Sequence, residues 1–387
     1  MNNTLTASRM NSLMHCPRQH FWSFEIGLHR ESAGVALRFG SAWHRAMEAR
    51  WNGASYEEAL APAIPEGIDL GAMDCATLAG LLAGYYDYYG PREDVGKSEP
   101  EQQFDVELCD GWRAHGKIDN LGLMNDDSHA LVESKTTSDS VDANSDYWLR
   151  LRFNLQVFQY FDAAKKLGYD VSNVYYDVTR KPVIRPLKSV PELDKQGRKI
   201  VVDKNGQRVY ATKTEKVKIG SGKKAKVEYR EVPNLDKPVQ SASAAKGYVI
   251  KCHAETPDEF CDRLWRDTVA RPAFYFCRKE IPILEDELEQ FQRQRLAMVG
   301  IIEHLRSQEG GKFVTREDEF GRVETAQSRD PEAWPRNVST NTCNFCAFKS
   351  FCLSNNPIDI NNPPEGYYIK INPELNYATN SETAIEA

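Results

Sequence analysis

The chain has 387 residues, of which 41% are hydrophobic and 27% charged, and a net charge of −7. These proportions exclude a fibrous or wholly disordered protein, and the length leaves room for roughly two to three domains. No run of about 18 apolar residues reads as a membrane span, and the N-terminus MNNTLTASRMNSLMHC lacks a charged segment followed by an apolar one, so the expectation is a cytoplasmic protein.

In chain order, ASRMNSLMHCPRQHFWSFEIGL spaces Met10, Leu13, Met14, Phe21, Phe24 and Leu28 as one or two amphipathic helices broken at Pro17. VALRFGSAWHRAMEARW and DCATLAGLLAGYYDYY read as two more helices. From Glu101 the period shifts towards two, and EQQFDVEL, WRAHGKIDNLGLM and SHALVESKTT predict successive strands joined by short polar turns. A helix is expected over YWLRLRFNLQVFQYFDAAKKLG and a strand over NVYYDVTR. Further on, TPDEFCDRLWRDTVA opens with a capping box, Thr256 to Glu259. FYFCRKE reads as a strand, and EDELEQFQRQRLAMVGIIEHLRS as a long helix carrying Leu288, Phe291, Leu296, Ile301 and Leu305. Such an order describes an α/β domain with a mixed sheet flanked by helices. Residues 353–387 turn polar and rich in Pro and Asn, and are expected to form a poorly ordered tail.

The charge is unevenly placed. Residues 181–250 carry 17 Lys and Arg against 7 Asp and Glu, a balance of +10 that leaves −17 for the rest of the chain. This segment reads as an insertion: Ile200–Val202 and Val209–Tyr210 flank the turn DKNG as in a hairpin, and KIGSGKKAKVEYR follows as a flexible basic loop. It is either a solvated insertion without a partner or a basic flap that holds a nucleic-acid backbone.

Chemistry gathers on the predicted strands. Glu133 and Lys135 are two apart in LVESKTT, hence on one face of a strand, with Ser134 pointing away. If the hairpin from Asp119 to Glu133 is regular, two carboxylates converge and can hold magnesium or manganese through oxygen ligands. By itself the pattern more often forms a solvated face with a cross-strand ion pair. Gln156 and Tyr160 follow at i and i+4, on one face of the next helix. Glu101 is a secondary carboxylate candidate.

Four short motifs occur in order: Gly40 to His44 (GSAWH), Gly116 to Asp119 (GKID), Glu133 to Lys135 (ESK) and Gln156 to Tyr160 (QVFQY). Together they resemble the PD-(D/E)XK nuclease superfamily, and within it the RecB-like branch. The resemblance implies a restriction-endonuclease-like core over residues 1–180 and 251–352, interrupted by the 181–250 insertion. It further implies that Asp119 and Glu133 ligate metal with the Ser134 carbonyl as a further ligand, and that Lys135 is catalytic. His44 would be a metal ligand or acid-base group, with Gln156 and Tyr160 orienting substrate or Lys135.

Nine cysteines in a chain without a secretion signal point to metal binding or burial rather than a disulfide framework. Cys75, Cys109, Cys252, Cys261 and Cys277 read as core or surface thiols. Cys343, Cys346 and Cys352 stand at C-x2-C-x5-C, and Cys16 precedes Pro17 at the other end of the chain. Four soft ligands suit an iron-sulphur cluster or tetrahedral zinc. A subset of RecB-like nucleases, AddB-type subunits and CRISPR-associated RecB-like exonucleases among them, carries one cysteine before the nuclease motifs and three after. By that resemblance Cys16, Cys343, Cys346 and Cys352 bind a four-iron four-sulphur cluster, with zinc as the alternative.

No P-loop of the form G-x4-G-K-(S/T) is present, so unwinding would fall to a helicase or recombination partner. The reading is a magnesium- or manganese-dependent DNA nuclease, an exonuclease on single strands or ends, serving recombination, repair, CRISPR adaptation or phage DNA metabolism. Two other classes remain open: a nucleic-acid-binding module whose nuclease centre is scaffold, and an assembly protein stapled by its cluster.

Overall fold

A computed structural model of the chain describes residues 3–31, 34–90, 95–109, 111–124, 129–220, 226–317, 323–329, 331–354, 358 and 362–370. Strand β1 (Thr4–Leu5) leads into α1 (Ala7–His15), capped by Thr6, whose hydroxyl accepts from the Arg9 N–H at 3.1 Å. Pro17 opens α2 (Pro17–His20), where its missing N–H would have had no helical partner. A π-helical turn, Phe21–Ile26, ends at Gly27 (φ 78°) and passes to β2 (Leu28–Arg30). A Cβ on Gly27 would lie 2.2 Å from the Lys370 carbonyl oxygen, so only glycine lets the two backbones approach there.

Helices α3 (Val35–Trp51), α4 (Tyr56–Ala63) and α5 (Ala72–Tyr89) come next, then β3 (Val95–Cys109), β4 (Trp112–Met124) and β5 (His129–Thr137), the meander that the alternating stretch predicts. The one helix expected after it is two, α6 (Asp146–Arg152) and α7 (Leu155–Lys166). Asn154 leaves the helical region and caps α7, its Oδ1 accepting from the Gln156 N–H at 2.9 Å. Strand β6 (Val171–Arg180) completes this half.

Within residues 181–250 and just beyond, β7 (Val190–Pro191), β8 (Val201–Val202), β9 (Tyr210–Ile219), β10 (Lys226–Pro238), β11 (Val249–Ile250) and β12 (Cys252–His253) form small two-stranded sheets, β7 with β12, β8 with β11 and β9 with β10. The DKNG turn forms, with Asp203 Oδ1 accepting from the Asn205 and Gln207 N–H groups at 2.9 Å each. The stretch expected as a flexible loop is instead mostly ribbon: Lys216 pairs with Tyr229 and Lys218 with Val227, and only residues 221–225 lie outside the described residues. Thr212, Thr214, Val217, Val227, Tyr229 and Val232 supply the strand preference that the lysines obscure.

The chain continues through α8 (Pro257–Ala270), which carries the expected Thr256–Glu259 box, α9 (Pro272–Tyr275), β13 (Phe276–Pro282) and α10 (Glu285–Ser307). On α10 Leu288 and Phe291 are buried as expected, but Leu296 and Ile301 are exposed; Met298, Val299 and Ile302 take their place in the core. The buried stripe Leu288, Phe291, Arg295, Met298, Val299 and Ile302 keeps the helical period, with Arg295 paired to Asp162 at 2.7 Å, and Leu296 and Ile301 fall off that face. A hairpin of β14 (Gly311–Glu317) and β15 (Val323–Arg329) precedes α11 (Thr340–Asn344) and α12 (Lys349–Ser354). Within the expected tail, β16 (Tyr367–Ile369) pairs antiparallel with β2, so ordered structure reaches Lys370; residues 371–387 lie outside the described residues.

The central sheet has six strands in the order β1-β4-β5-β6-β13, with β3 on the other edge of β4. It is mixed: β1 runs parallel to β4 and β5 to β6, whereas β3–β4, β4–β5 and β6–β13 are antiparallel. Its faces bury separate clusters. Leu131 and Tyr176 join the cluster with Phe158, Phe161, Phe291 and Met10, while the neighbouring Val132 and Tyr175 belong to the one with Trp43, Leu81, Tyr85 and Phe260. Helices therefore cover both faces, the α/β architecture the sequence predicts.

Candidate active site

The site begins where the sheet opens. β5 holds one edge of β4 from Asn120 to Leu123, and β1 holds the same edge at Arg113 and Ala114. Between them that edge of β4 has no strand partner among the described residues from His115 to Asp119. Gln159, fully buried on α7, spans the gap, its Nε2 donating to the carbonyls of Leu5 at 3.0 Å and His115 at 3.2 Å. This satisfies backbone acceptors that would otherwise be buried unpaired. Sequence reasoning passed over Gln159; its place inside the Q-x-x-x-Y motif was the available signal.

Asp119 and Glu133 sit one residue past the last β4–β5 pair, Asn120 with Val132, so both carboxylates stand at the mouth of the gap. Their side chains are 14% and 3% exposed. The Ser134 N–H donates to Asp119 Oδ2 at 3.1 Å, and His44 Nδ1, reaching in from α3, lies 3.2 Å from the same oxygen. Lys135 Nζ bonds Glu133 Oε1 and donates to Gln156 Oε1 at 2.9 Å, and Gln156 Nε2 donates to the Tyr160 hydroxyl at 2.9 Å. The structure thus brings together all the residues the four motifs single out as functional side chains. Glu101 does not join them directly; it pairs with Lys117 and adopts a left-handed φ of 59°.

Electrostatics separate the two acids. Burial works to raise the Asp119 pKa, but the His44 charge and hydrogen bond, Lys135 and the Ser134 N–H outweigh it and hold the carboxyl below its ordinary value. Burial and the neighbouring Asp119 charge push Glu133 up to about 7, against the pull of Lys135. Asp119 raises the His44 imidazole above its usual range despite burial. Burial works to lower the Lys135 pKa, yet Glu133 and Asp119 keep it raised. Two buried carboxylates that repel one another in this way fit a hard divalent cation, which would neutralise both. Magnesium takes only one or two carboxylates and fills its remaining positions with water and phosphate oxygen. Among the described residues no three His, Cys, Asp or Glu side chains converge as a ready-made metal site.

Gly116 has a steric reason. A Cβ there would meet Phe104 Cζ at 2.6 Å and Tyr160 Cε1 at 3.2 Å, so the glycine lets Phe104 and Tyr160 pack edge to face across β4.

Cys16, Cys343, Cys346 and Cys352 line one cavity, together with Trp22, Phe348 and Leu353. None is in a disulfide. Two sulphurs accept backbone N–H groups, Cys16 from Asn337 at 3.4 Å and Cys346 from Phe348 at 3.5 Å. Burial raises the Cys346 pKa, the Phe348 N–H opposes it, and the other three thiols add to the rise. Four soft donors lining one cavity suit a thiophilic metal centre. The junction is braced independently: Arg18 donates to the Trp334 carbonyl at 2.8 Å, and His20 stacks on Trp334 at 5.1 Å. The other five cysteines are likewise in no disulfide and do not line this cavity.

No helix among the described residues is long and apolar enough to cross a membrane. No curated protein matches the chain. One solved structure, described as that of SSO0001, is 12% identical over 46% of this chain and 64% of that one, with a TM-score of 0.21, too low to carry an argument. The family model of the PD-(D/E)XK nuclease superfamily matches residues 4–353, nearly the whole described chain. That match spans the sheet, the carboxylate pair and the cysteine cavity alike, and the chain belongs to the PD-(D/E)XK nuclease superfamily.

Proposed function

We propose that the protein is a metal-dependent DNA nuclease of the RecB-like branch, hydrolysing phosphodiester bonds as an exonuclease on single strands or ends. The observation that carries this reading is the convergence of Asp119, Glu133 and Lys135 where β4 and β5 separate, with Gln156 holding Lys135 Nζ at 2.9 Å. When bound, magnesium or manganese would lower the pKa of a water and polarise a phosphate oxygen. Asp119 and Glu133 would hold that ion, with the Ser134 carbonyl beside them. Lys135 orients the attacking water or counters charge developing on the phosphate, and Gln156, itself fixed by Tyr160, fixes the ammonium. His44 orients Asp119.

The basic ribbon supports a nucleic-acid substrate. Lys216 and Lys218 share one face with Val227 and Tyr229, and Tyr229 is 68% exposed. Cations beside an open aromatic ring suit a single strand, whose phosphates pair and whose bases stack. For the four-cysteine cavity we propose a four-iron four-sulphur cluster, with tetrahedral zinc as the alternative; iron and acid-labile sulphide analysis of anaerobically purified protein distinguishes them.

The test is cleavage of single-stranded DNA labelled at either end, with manganese or magnesium, beside Asp119→Ala and Lys135→Ala. Release of label by the wild type alone supports the reading, and the end lost first gives polarity. Equal activity in all three proteins sinks it; binding without cleavage turns the site into a scaffold.

A further inference from the structure

We propose that the cleft around Lys181 is a separate phosphate subsite, which takes the backbone of a bound nucleic-acid strand within a few nucleotides of the Asp119–Glu133 centre. As a subsite for substrate it rests on the nuclease reading above. Lys181 is the first residue beyond β6, and its N–H donates to the Thr137 carbonyl at 2.7 Å, so β5 and β6 leave the sheet side by side. β5 pairs with β6 through Lys135 with Val178 and Thr137 with Arg180, which puts Lys181 level with Ser138. At strand rise, that is about 10 Å beyond Lys135, a span of a few nucleotides of backbone.

The cleft is a cavity of about 320 Å³ with Lys181, Ser138, Thr77 and Asp74 on its polar side and Phe39 and Ile184 on its apolar side. Lys181 is half-buried, and its Nζ lies 4.8 Å from the centre of the Phe39 ring. Among the described residues no carboxylate stands within ion-pair reach of it. Burial draws its pKa down, with Asp74 acting weakly the other way. An ammonium desolvated beneath a ring and open to a cleft gains most from a dianionic or anionic oxygen entering that cleft. The 181–250 insertion that carries the basic ribbon begins at Lys181, with the ribbon strands β9 and β10 following from Tyr210.

The surface between the two places is prepared for close approach. Phe39 and His44 both lie on α3, five residues apart, or about 7.5 Å along the axis. Between them Gly40 sits mid-helix, where a glycine is unfavourable, yet a Cβ there would meet nothing within 4 Å. Packing within the fold does not demand that glycine, and the open space over it leaves room for a strand to lie against α3 on the face that carries His44.

The experiment uses the full chain and a fluorescent single-stranded oligothymidine, with binding followed by anisotropy across a salt series in the absence of divalent metal. Lys181→Met should weaken binding several-fold and reduce the slope of log affinity against log salt by about 0.7, one phosphate contact on a single strand. Lys181→Arg should restore both. Single methylphosphonate linkages walked along the oligonucleotide should cost the wild type affinity at one linkage to which the Met variant is indifferent. An unchanged slope with an unchanged methylphosphonate profile overturns the subsite, even if Lys135-dependent cleavage is seen. The Lys181 effect without cleavage by any form leaves the subsite standing and removes the nuclease reading.

Discussion

His44 Nδ1 and Asp119 Oδ2 lie 3.2 Å apart, so a helix that precedes the sheet in sequence supplies the partner of its first carboxylate. Asp119 also receives the Ser134 N–H, and both contacts fall on its Oδ2. Second contacts of this kind around a metal-binding carboxylate are worth about 10- to 100-fold in metal affinity or activity. His44→Ala is therefore expected to raise the manganese concentration needed for half-maximal cleavage by a factor in that range. A metal titration identical to that of the wild type would remove His44 from the site.

Gly116→Ala probes the support behind Lys135. Its methyl would press on Phe104 and on Tyr160, whose hydroxyl holds Gln156, which in turn holds Lys135. Overpacking a tight core contact costs about 1–3 kcal/mol. The expected outcome is a modest loss in denaturation midpoint with a larger proportional loss of kcat, KM changing little. Stability and kcat falling in the same proportion would mean the glycine serves packing alone.

Asp162 and Arg295 join α7 to α10 at 2.7 Å with both side chains 3% exposed, and Gln292 donates to the other carboxylate oxygen at 2.7 Å. Removing Arg295 leaves the buried Asp162 only Gln292 and the partly exposed Lys166, 3.4 Å away, so the cost falls towards the lower end of the about 3–5 kcal/mol of a broken buried pair. Arg295→Met should show this loss in urea unfolding, and Asp162→Leu with Arg295→Met should recover much of it. Single and double variants that simply add would refute the coupling.

Glu25, with a side chain 1% exposed, faces Arg9 and Arg306, the latter at 2.9 and 3.0 Å. Burial alone would raise its pKa; the two guanidinium groups outweigh burial and bring it from 4.5 to about 2. A folded pKa below the unfolded one gives stability that is fully present above about pH 4.5 and is lost as the pH falls towards 2, about 3 kcal/mol in all. Glu25→Gln should be less stable at neutral pH and show a shallower decline across that acid window. Parallel stability curves for the two proteins would contradict the assignment.

Much of this was legible in the residues. Alternation from Glu101 announced the meander, Pro17 the break between the first helices, and the Thr256–Glu259 spacing the start of α8. These signals are local, so a short window carries them. The 147–168 helix and the lysine-rich ribbon misread because a single cap, Asn154, and a set of half-hidden β-branched residues decided them. On α10 Leu296 and Ile301 were misplaced because they are apolar, although the helical period through Leu288, Phe291, Arg295, Met298 and Ile302 leaves them off the buried face.

The sequence by itself determined which residue types could meet: Asp119, Glu133 and Lys135 at strand spacing, Gln156 and Tyr160 one helical turn apart, and three cysteines within ten residues of one another near the end of the chain. Only the tertiary structure decided that the β4–β5 ladder ends just short of the carboxylates, that Gln159 fills the gap so formed, and that Cys16 shares a cavity with the other three cysteines. Periodicity is a property of neighbours along the chain. Where a ladder ends, which buried acceptor it leaves open and which distant side chain closes it depend on packing between elements, and there His44 and the Ser134 N–H hold Asp119 down while burial and the Asp119 charge raise Glu133.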